Sequence, residues 1–298
     1  MEAPLTSSPS IEENWTGEDV TVSGIERELA RLRDATSTAG GQPNLRTSVM
    51  THIAWVPPDW KDVAEETLAG MAERHPSRTL LLVPRADEPD GIDAHLSIRC
   101  FPVGDRAVCG EVIELALRGS RAFAPASIVL PLLISDLPVF CRWRGEPDFD
   151  SVEFDQMVEI VDRLVVDSSE WDDPRFDELR AVFGRTAVSD IAWARTLPWR
   201  TELARYWPGI REQEIQIRGP LAEATLLRAW LNARLERAIR PVAEARELSV
   251  RLGGEPLPPP RDGNLGPSDL LSAELDRFGH DPLYEEAIRA AAAGGGGV

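Results

Sequence analysis

The sequence predicts an α/β protein with a layered mixed sheet and flanking helices, plus a smaller, mostly helical α+β C-terminal domain. Between residues 45 and 83, apolar β-branched runs alternate with a stretch of helical spacing. Residues 95–118 instead show the two-residue alternation of half-buried strands. Past residue 168 helical spacing dominates. The predicted divisions are a mobile arm (1–22), an α/β N-terminal domain (23–167), a C-terminal domain (168–292) and a flexible tail (293–298).

The first part of the chain predicts a β-α-β unit preceded by a short helix. Ser23 and Glu26 form a capping box for a helix over about 24–36. A strand ends at Pro57-Pro58, and Asp59 caps the helix that follows. Because a strand at 79–83 comes next, the two strands are expected to run parallel.

The next segments predict an antiparallel hairpin, because Leu96, Ile98 and Cys100 alternate with polar residues and a similar strand follows a short loop. Cys100 and Cys109 lie on its buried face and can face one another. An odd count of three cysteines nevertheless favours reduced thiols. The apolar run 125–134 predicts a buried helix kinked at Pro131.

Later elements are expected at regular intervals. Strands are predicted at 138–144 and 161–167 around a helical segment at 149–160. The segment 174–206 predicts two or three helices. The remaining predictions are a strand at 215–218, the strongest helix at 221–239, a strand at 248–252 and a final helix at 268–292.

Charge and hydropathy narrow the classes of partner. The 298-residue chain carries 50 acidic and 32 basic side chains, a net charge of −18, which repels phosphate backbones and anionic lipid. It has no run of 18 apolar residues and no cationic leader followed by an apolar stretch. We therefore expect a cytoplasmic protein with no nucleic-acid or membrane partner.

No catalytic, cofactor-binding or metal site is predicted, because none of the four histidines lies in a recognised motif. Three strings remain as candidates for other roles. In the first, His75, Pro76, Ser77 and Arg78 end a helix and begin a strand, so that Arg78 would project at the sheet edge and bind an anion. Alternatively, the two basic residues cap the helix and pair with the abundant acids.

The second string, SDLPVFCRWRG, contains Asp136 and places Trp143 between Arg142 and Arg144. Tryptophan and arginine are enriched at interface hot spots, although Trp143 is equally suited to a core. The third string ends a strand at Asp167 and Ser168, where a carboxylate orients a ligand or, more simply, caps the next turn.

Three tryptophans in the C-terminal part form a further candidate group. Trp193, Trp199 and Trp207 recur at intervals of 6 and 8 residues, which do not mark one helical stripe. Some must therefore lie away from a single core seam, either on a partner-binding surface or between packed domains.

Taken in order, five strings resemble the glucose-6-phosphate dehydrogenase assembly family, OpcA, over about residues 45–240. They read RTSVMTHIAWV, ERHPSRTLLLVP, PLLISDLPVFCRWRGEP, VDRLVVDSSEW and SDIAWARTLPWRTELARYW. The resemblance implies a non-catalytic bacterial activator that binds the dehydrogenase and favours its active oligomer in the oxidative pentose phosphate pathway. NADP and glucose 6-phosphate would belong to the partner, so no cofactor is expected here.

The predicted partner interface consists of the HPSR turn, the Trp143 strand and the three C-terminal tryptophans. Its residues are His75, Pro76, Ser77, Arg78, Asp136, Arg142, Trp143, Arg144, Trp193, Trp199 and Trp207. The alternative is an α/β enzyme or a sugar-phosphate sensor with a pocket at the strand ends near Arg78, Asp136 and Asp167.

Overall fold

The structure is a computed structural model that describes residues 11–40, 48–71, 77–103, 106–173, 175–260 and 265–294. The chain divides into two compact units. The first contains the residues up to Arg142 together with Asp150–Asp162, and the second contains Trp143–Phe149 and the residues from Arg163 onward. The predicted division at residue 167 stays a prediction.

The first unit is built on a mixed sheet, in the order β1-β4-β5-β3-β2-β6. Its outer strands β1, β4 and β5 pair antiparallel, whereas β5, β3 and β2 pair parallel. The mixed sheet and the β-α-β unit are thereby confirmed. The strands are β1 (Ile11–Gly17), β2 (Thr51–Trp55), β3 (Arg78–Arg85), β4 (Gly91–Val103), β5 (Arg106–Arg118) and β6 (Val139–Trp143).

Helices cover both faces of this sheet. On one face, α1 (Val22–Gly40) buries Ile25, Leu29 and Leu32 and is tied to β5 by an ion pair between Arg33 and Glu111. On the other face, α2 (Lys61–Ala69) packs Ala64 against Ala54 and Leu81. The helices α3 (Pro125–Val129) and α4 (Val152–Ile160) pack on one another. The predicted flanking helices are thus confirmed.

Two predictions about the elements of the first unit are wrong, and both predicted caps are replaced: Thr21 rather than Ser23 accepts from the first turn of α1, and Trp60 rather than Asp59 precedes α2. Part of the predicted mobile arm forms β1, because its main chain pairs with the edge of β4, which needs no apolar pattern. The run 125–134 is not a continuous buried helix. The helix ends at Val129, and in the 3₁₀ turn that follows Leu130 and Pro131 are exposed while Leu132 is buried. Residues 1–10 lie outside the described residues.

The β4–β5 hairpin has the predicted alternation, with Leu96, Ile98 and Cys100 buried. Cys100 and Cys109 are direct partners in the register, and a disulfide joins them. The expectation of reduced thiols is therefore wrong for this pair, because the hairpin brings their Cα atoms within 4.0 Å. Cys141 is a free, buried thiol, and burial raises its pKa to about 12.

The second unit combines helices with short strands, which agrees with the predicted mostly helical α+β part. Strands β7 and β8 pair parallel, and a small sheet has the order β10-β9-β11-β12. Its core includes Trp199, Leu227 and Val250. The elements are β7 (Arg163–Val166), α5 (Phe176–Val182), β8 (Ala187–Asp190), α6 (Ile191–Arg195), α7 (Leu197–Ala204), β9 (Ile215–Gly219), α8 (Leu221–Leu235), β10 (Ala243–Glu244), β11 (Ser249–Leu252), β12 (Glu255–Pro256), α9 (Pro267–Leu275) and α10 (Pro282–Gly294).

Two departures occur in the second unit. The segment predicted as purely helical contains β8, a strand of only four residues. The predicted final helix is two helices, because the chain takes φ +82° at Gly279 and restarts at Pro282, the first residue of α10. Among the described residues, no helix has both the length and the apolar character needed to cross a membrane.

Candidate functional site

Of the HPSR string, the structure describes Ser77 and Arg78, which do not project from the sheet edge. His75 and Pro76 lie outside the described residues, and Ser77 and Arg78 are buried. Arg78 pairs with Glu111 on the adjacent strand at 2.8 Å and donates to the Leu132 carbonyl at 2.7 Å. The prediction that Arg78 is exposed and binds an anion is therefore wrong, because Glu111, its partner in the strand register, neutralises it inside the unit.

The Arg-Trp-Arg string is also buried. Arg142, Trp143 and Arg144 each expose less than a tenth of their surface. In the second unit, Arg144 donates to Glu170 Oε1 at 2.8 Å, and the Gly145 amide donates to Glu170 Oε2 at 2.9 Å. Asp136, in contrast, is exposed with φ +66°. Of this string, Asp136 is accessible to a partner, and the interface assignment itself stays a prediction.

The three C-terminal tryptophans separate in their surroundings. Trp193 is buried, its indole donates to Asp281, and the Arg200 guanidinium lies 3.5 Å from its ring centre. Trp199 belongs to the core of the second unit. Trp207 is 47% exposed, and Arg211 stacks on its ring. Only Trp207 of the three offers substantial area to another protein.

The strand ends of the second unit carry a buried polar network. Asp167 caps the turn after β7 by accepting from the Ser169 amide, as predicted, and forms a two-bond ion pair with Arg195 at 2.7 and 2.9 Å. Arg195 also lies 3.4 Å from Glu223. Because these carboxylates are held by protein partners, Asp167 is a structural residue in this arrangement rather than one open to a ligand.

Asp190 is the residue of this network that sequence reasoning missed. It ends β8 and caps α6, accepting from the amides of Ser168 and Ala192 and from the Ser168 and Tyr284 hydroxyls. Burial, followed by the charge of Asp167, raises the pKa of Asp190 to about 7. Its position before an apolar helix was a capping signal, but its burial depends on Tyr284, 94 positions away.

An exposed apolar surface lies in the first unit, where α3, α4 and the turns beside them meet. We call it the α3–α4 surface and define it by Phe123, Leu130 and Val152, which are 51, 53 and 61% exposed. Gln156 holds the elements together by donating to the Phe123 carbonyl at 3.0 Å and accepting from the Ala126 amide at 3.2 Å. Sequence reasoning missed this surface because the apolar run 125–134 looked wholly buried.

No metal site is found in the described ranges, where no group of three or more histidine, cysteine, aspartate and glutamate side chains could hold a metal ion.

Comparison with known proteins relates part of the chain to a protein family. A family model described as the glucose-6-phosphate dehydrogenase subunit N-terminal domain matches residues 69–182. Residues 69–182 are therefore similar to a domain of the OpcA family.

The OpcA relatives agree with this assignment. The chain is 28% identical over 183 residues to an OxPP cycle protein OpcA of Nostoc punctiforme, covering 56% of this chain and 39% of the relative. Proteins of the same name from Synechocystis and Synechococcus elongatus are each 26% identical, over 56 and 55% of this chain and 38 and 41% of their own lengths. The chain thus spans about two fifths of the length of these relatives. No solved structure matches it.

The matched region includes β3 to β6 and extends to α5. It contains the buried Arg78–Glu111 pair, Asp136 and all of the α3–α4 surface. Trp193, Trp199 and Trp207 lie outside the matched residues.

Proposed function

We propose that this protein is a non-catalytic assembly factor that binds glucose-6-phosphate dehydrogenase and favours its active oligomer. The observation that carries the proposal is the match of residues 69–182 to a domain described as a subunit of that dehydrogenase. NADP and glucose 6-phosphate then belong to the dehydrogenase. The proposal also places both proteins in the cytoplasm and in the oxidative pentose phosphate pathway.

The α3–α4 surface is the contact that we propose for the dehydrogenase. Phe123, Leu130 and Val152 are large apolar side chains with half or more of their surface in water, on elements that pack together, and exposed apolar side chains grouped in this way mark interaction sites. Asp136 lies between Leu130 and Val152 in the chain and is exposed. Trp207, with Arg211 stacked on it, is the second candidate contact.

Activation requires only that this protein bind the active dehydrogenase more tightly than the inactive one. The population of the active oligomer then rises by that difference in affinity and by no more. An α/β enzyme or sugar-phosphate sensor at the strand ends is less favoured, because Arg78 and Asp167 each form an ion pair within their own unit.

The test is the initial rate of NADPH formation by the purified cognate dehydrogenase at limiting glucose 6-phosphate, with increasing amounts of this protein. We expect a saturable rise, and no NADPH formation when the dehydrogenase is omitted. No rise at any concentration, together with no co-elution of the two proteins, would overturn the proposal.

Leu130→Glu tests the proposed contact surface. It places a charge at an apolar interface and should weaken the apparent affinity at least tenfold. Leu283→Glu is the matched control, because Leu283 is 43% exposed and lies outside the matched domain in the first turn of α10, where an acid is tolerated. The control should change the affinity less than twofold. Equal affinities for both variants would place the contact elsewhere.

A further inference from the structure

The face of the first unit's sheet that lies opposite α1 is unusually polar. The strand register puts His52, Thr79, Val112, Ser97 and Asn14 side by side across five strands. Successive residues of a strand point to opposite faces, so all five share the face that α2 partly covers. This row lacks the run of apolar side chains expected beneath a helix.

A cavity of about 420 Å³ lies on this face beside α2. That volume falls within the range of small-molecule sites. Leu68, Leu81 and Val112 provide apolar lining, and Ser97 and Gly110 of the hairpin also line it. The cavity is formed entirely within the first unit.

The floor of the cavity carries buried polar groups. His52, Ser77 and Thr79 line it and are each at least nine-tenths buried, and the Ser77 and Thr79 hydroxyl oxygens are 3.2 Å apart. Burying polar groups is unfavourable unless they form hydrogen bonds. Two residues further along the strands, the same face is apolar at Ala54 and Leu81, and Leu81 also lines the cavity. The cavity thus combines a polar floor with an apolar edge.

The charges around the cavity argue against an anionic ligand. Arg99 lies 3.6 Å from Glu12, and Lys61 lies 2.6 Å from Glu114 and 3.3 Å from Glu65. Four carboxylates thus line the cavity, those of Glu12, Glu65, Glu111 and Glu114, against the guanidinium of Arg99, while Lys61 beside the cavity pairs with two of them. A phosphate or carboxylate ligand would meet a net negative rim and would find both cations already paired.

We propose that this cavity binds a small, uncharged, polyhydroxylated molecule of the monosaccharide class. The hydroxyls of Ser77, Thr79 and Ser97 both donate and accept hydrogen bonds, as the hydroxyls of such a ligand do. Val112 and Leu68 provide the apolar surface that the C–H groups of a sugar ring require. The site goes beyond the proposed role in dehydrogenase assembly and does not depend on it.

Gly110→Leu gives a direct test, because a Cβ at Gly110 has no atom within 4 Å and the new side chain would enter the cavity. Leucine at this strand position removes a glycine without removing any polar group. Gly184→Leu is the matched control: its Cβ also has open space, but it lies in the second unit. Ser97→Ala removes one lining hydroxyl and leaves the cavity open. Circular dichroism melting checks that each variant folds.

Binding to the full chain is measured by saturation-transfer NMR titration with D-glucose, D-ribose and myo-inositol, and with glucose 6-phosphate as the anionic comparison. We expect saturable binding of at least one neutral compound, weakened tenfold or more by Gly110→Leu and several-fold by Ser97→Ala, and unchanged by Gly184→Leu. Glucose 6-phosphate should bind at least tenfold more weakly than glucose. The absence of neutral-ligand binding, binding that Gly110→Leu leaves intact, or tighter binding of the phosphate would each overturn the proposal.

Discussion

Asp190→Asn should remove a pH dependence of the free energy of unfolding. In the unmodified chain that free energy should fall by about 2–4 kcal/mol as the pH rises from about 4 to 7. The pKa of Asp190 is about 7 in the folded chain, against an ordinary value of 3.8. The folded state therefore holds this proton more tightly than the unfolded state does. Its contribution is fully present below pH 3.8 and is lost as the pH passes 7.

Asparagine suits this position because it keeps the shape and hydrogen-bonding capacity of a protonated aspartate. Its carbonyl oxygen can accept from the Ser168 and Ala192 amides, and its amide can donate to the hydroxyls of Ser168 and Tyr284. Above pH 7 the variant avoids the ionised, buried carboxylate. We therefore expect Asp190→Asn to be more stable than the unmodified chain at pH 8.

The measurement is the free energy of unfolding from guanidinium titrations at pH 5, 6, 7 and 8, taken as the difference between Asp190→Asn and the unmodified chain. Carboxylates that do not interact with Asp190 contribute equally to both proteins and cancel in that difference. The exposed Asp172→Asn is the control and should show no pH-dependent difference. A flat difference for Asp190→Asn as well would contradict a raised pKa at this position.

Glu111→Gln should lower the free energy of unfolding by about 3–5 kcal/mol, the cost of leaving a buried charge without its partner. Arg78 has only 8% of its side chain exposed and donates to Glu111 at 2.8 Å, while Arg33 donates to both carboxylate oxygens. Burial alone would raise the pKa of Glu111, but the two arginines outweigh it and lower that pKa below its ordinary value. The Glu111 carboxylate is thus ionised and neutralises the charges of Arg33 and Arg78.

Urea titration of the full chain at pH 7 measures this loss. Glu88→Gln is the control, because its ion pair with Arg85 is exposed on both sides and should contribute less than about 0.5 kcal/mol. The double variant Arg78→Met with Glu111→Leu should recover most of the stability, since it removes both buried charges together. A loss below about 1 kcal/mol for Glu111→Gln would show that water reaches Arg78.

The elements that the sequence predicts correctly are those whose signal lies within a few neighbouring residues. The β4–β5 hairpin was predictable because the alternation of Leu96, Ile98 and Cys100 is local. Strand β1 was not, because its pairing with β4 is between main chains and leaves little pattern in the side chains. Strand β8 has only four residues and lies between helices, so helical spacing on both sides obscured it.

The same limit applies to the site. The Asp167 cap was predictable from its place at a strand end, whereas the ion pair with Arg195 requires the fold of the second unit. The position of Arg78 at the start of a strand indicates an edge residue, and only the strand register shows that Glu111 lies beside it. The exposure of Leu130 could not be predicted from an apolar run, since composition does not say that the helix ends at Val129 or which residues of the following turn face water.

The bond between Cys100 and Cys109 also changes the connectivity of the chain. The two residues are nine positions apart in sequence, so the disulfide closes a covalent ring around the turn of the hairpin. A single peptide-bond break inside that ring does not divide the polypeptide into two molecules. The two pieces remain one molecule until a reductant opens the ring, and the hairpin keeps β4 and β5 covalently joined through such a break.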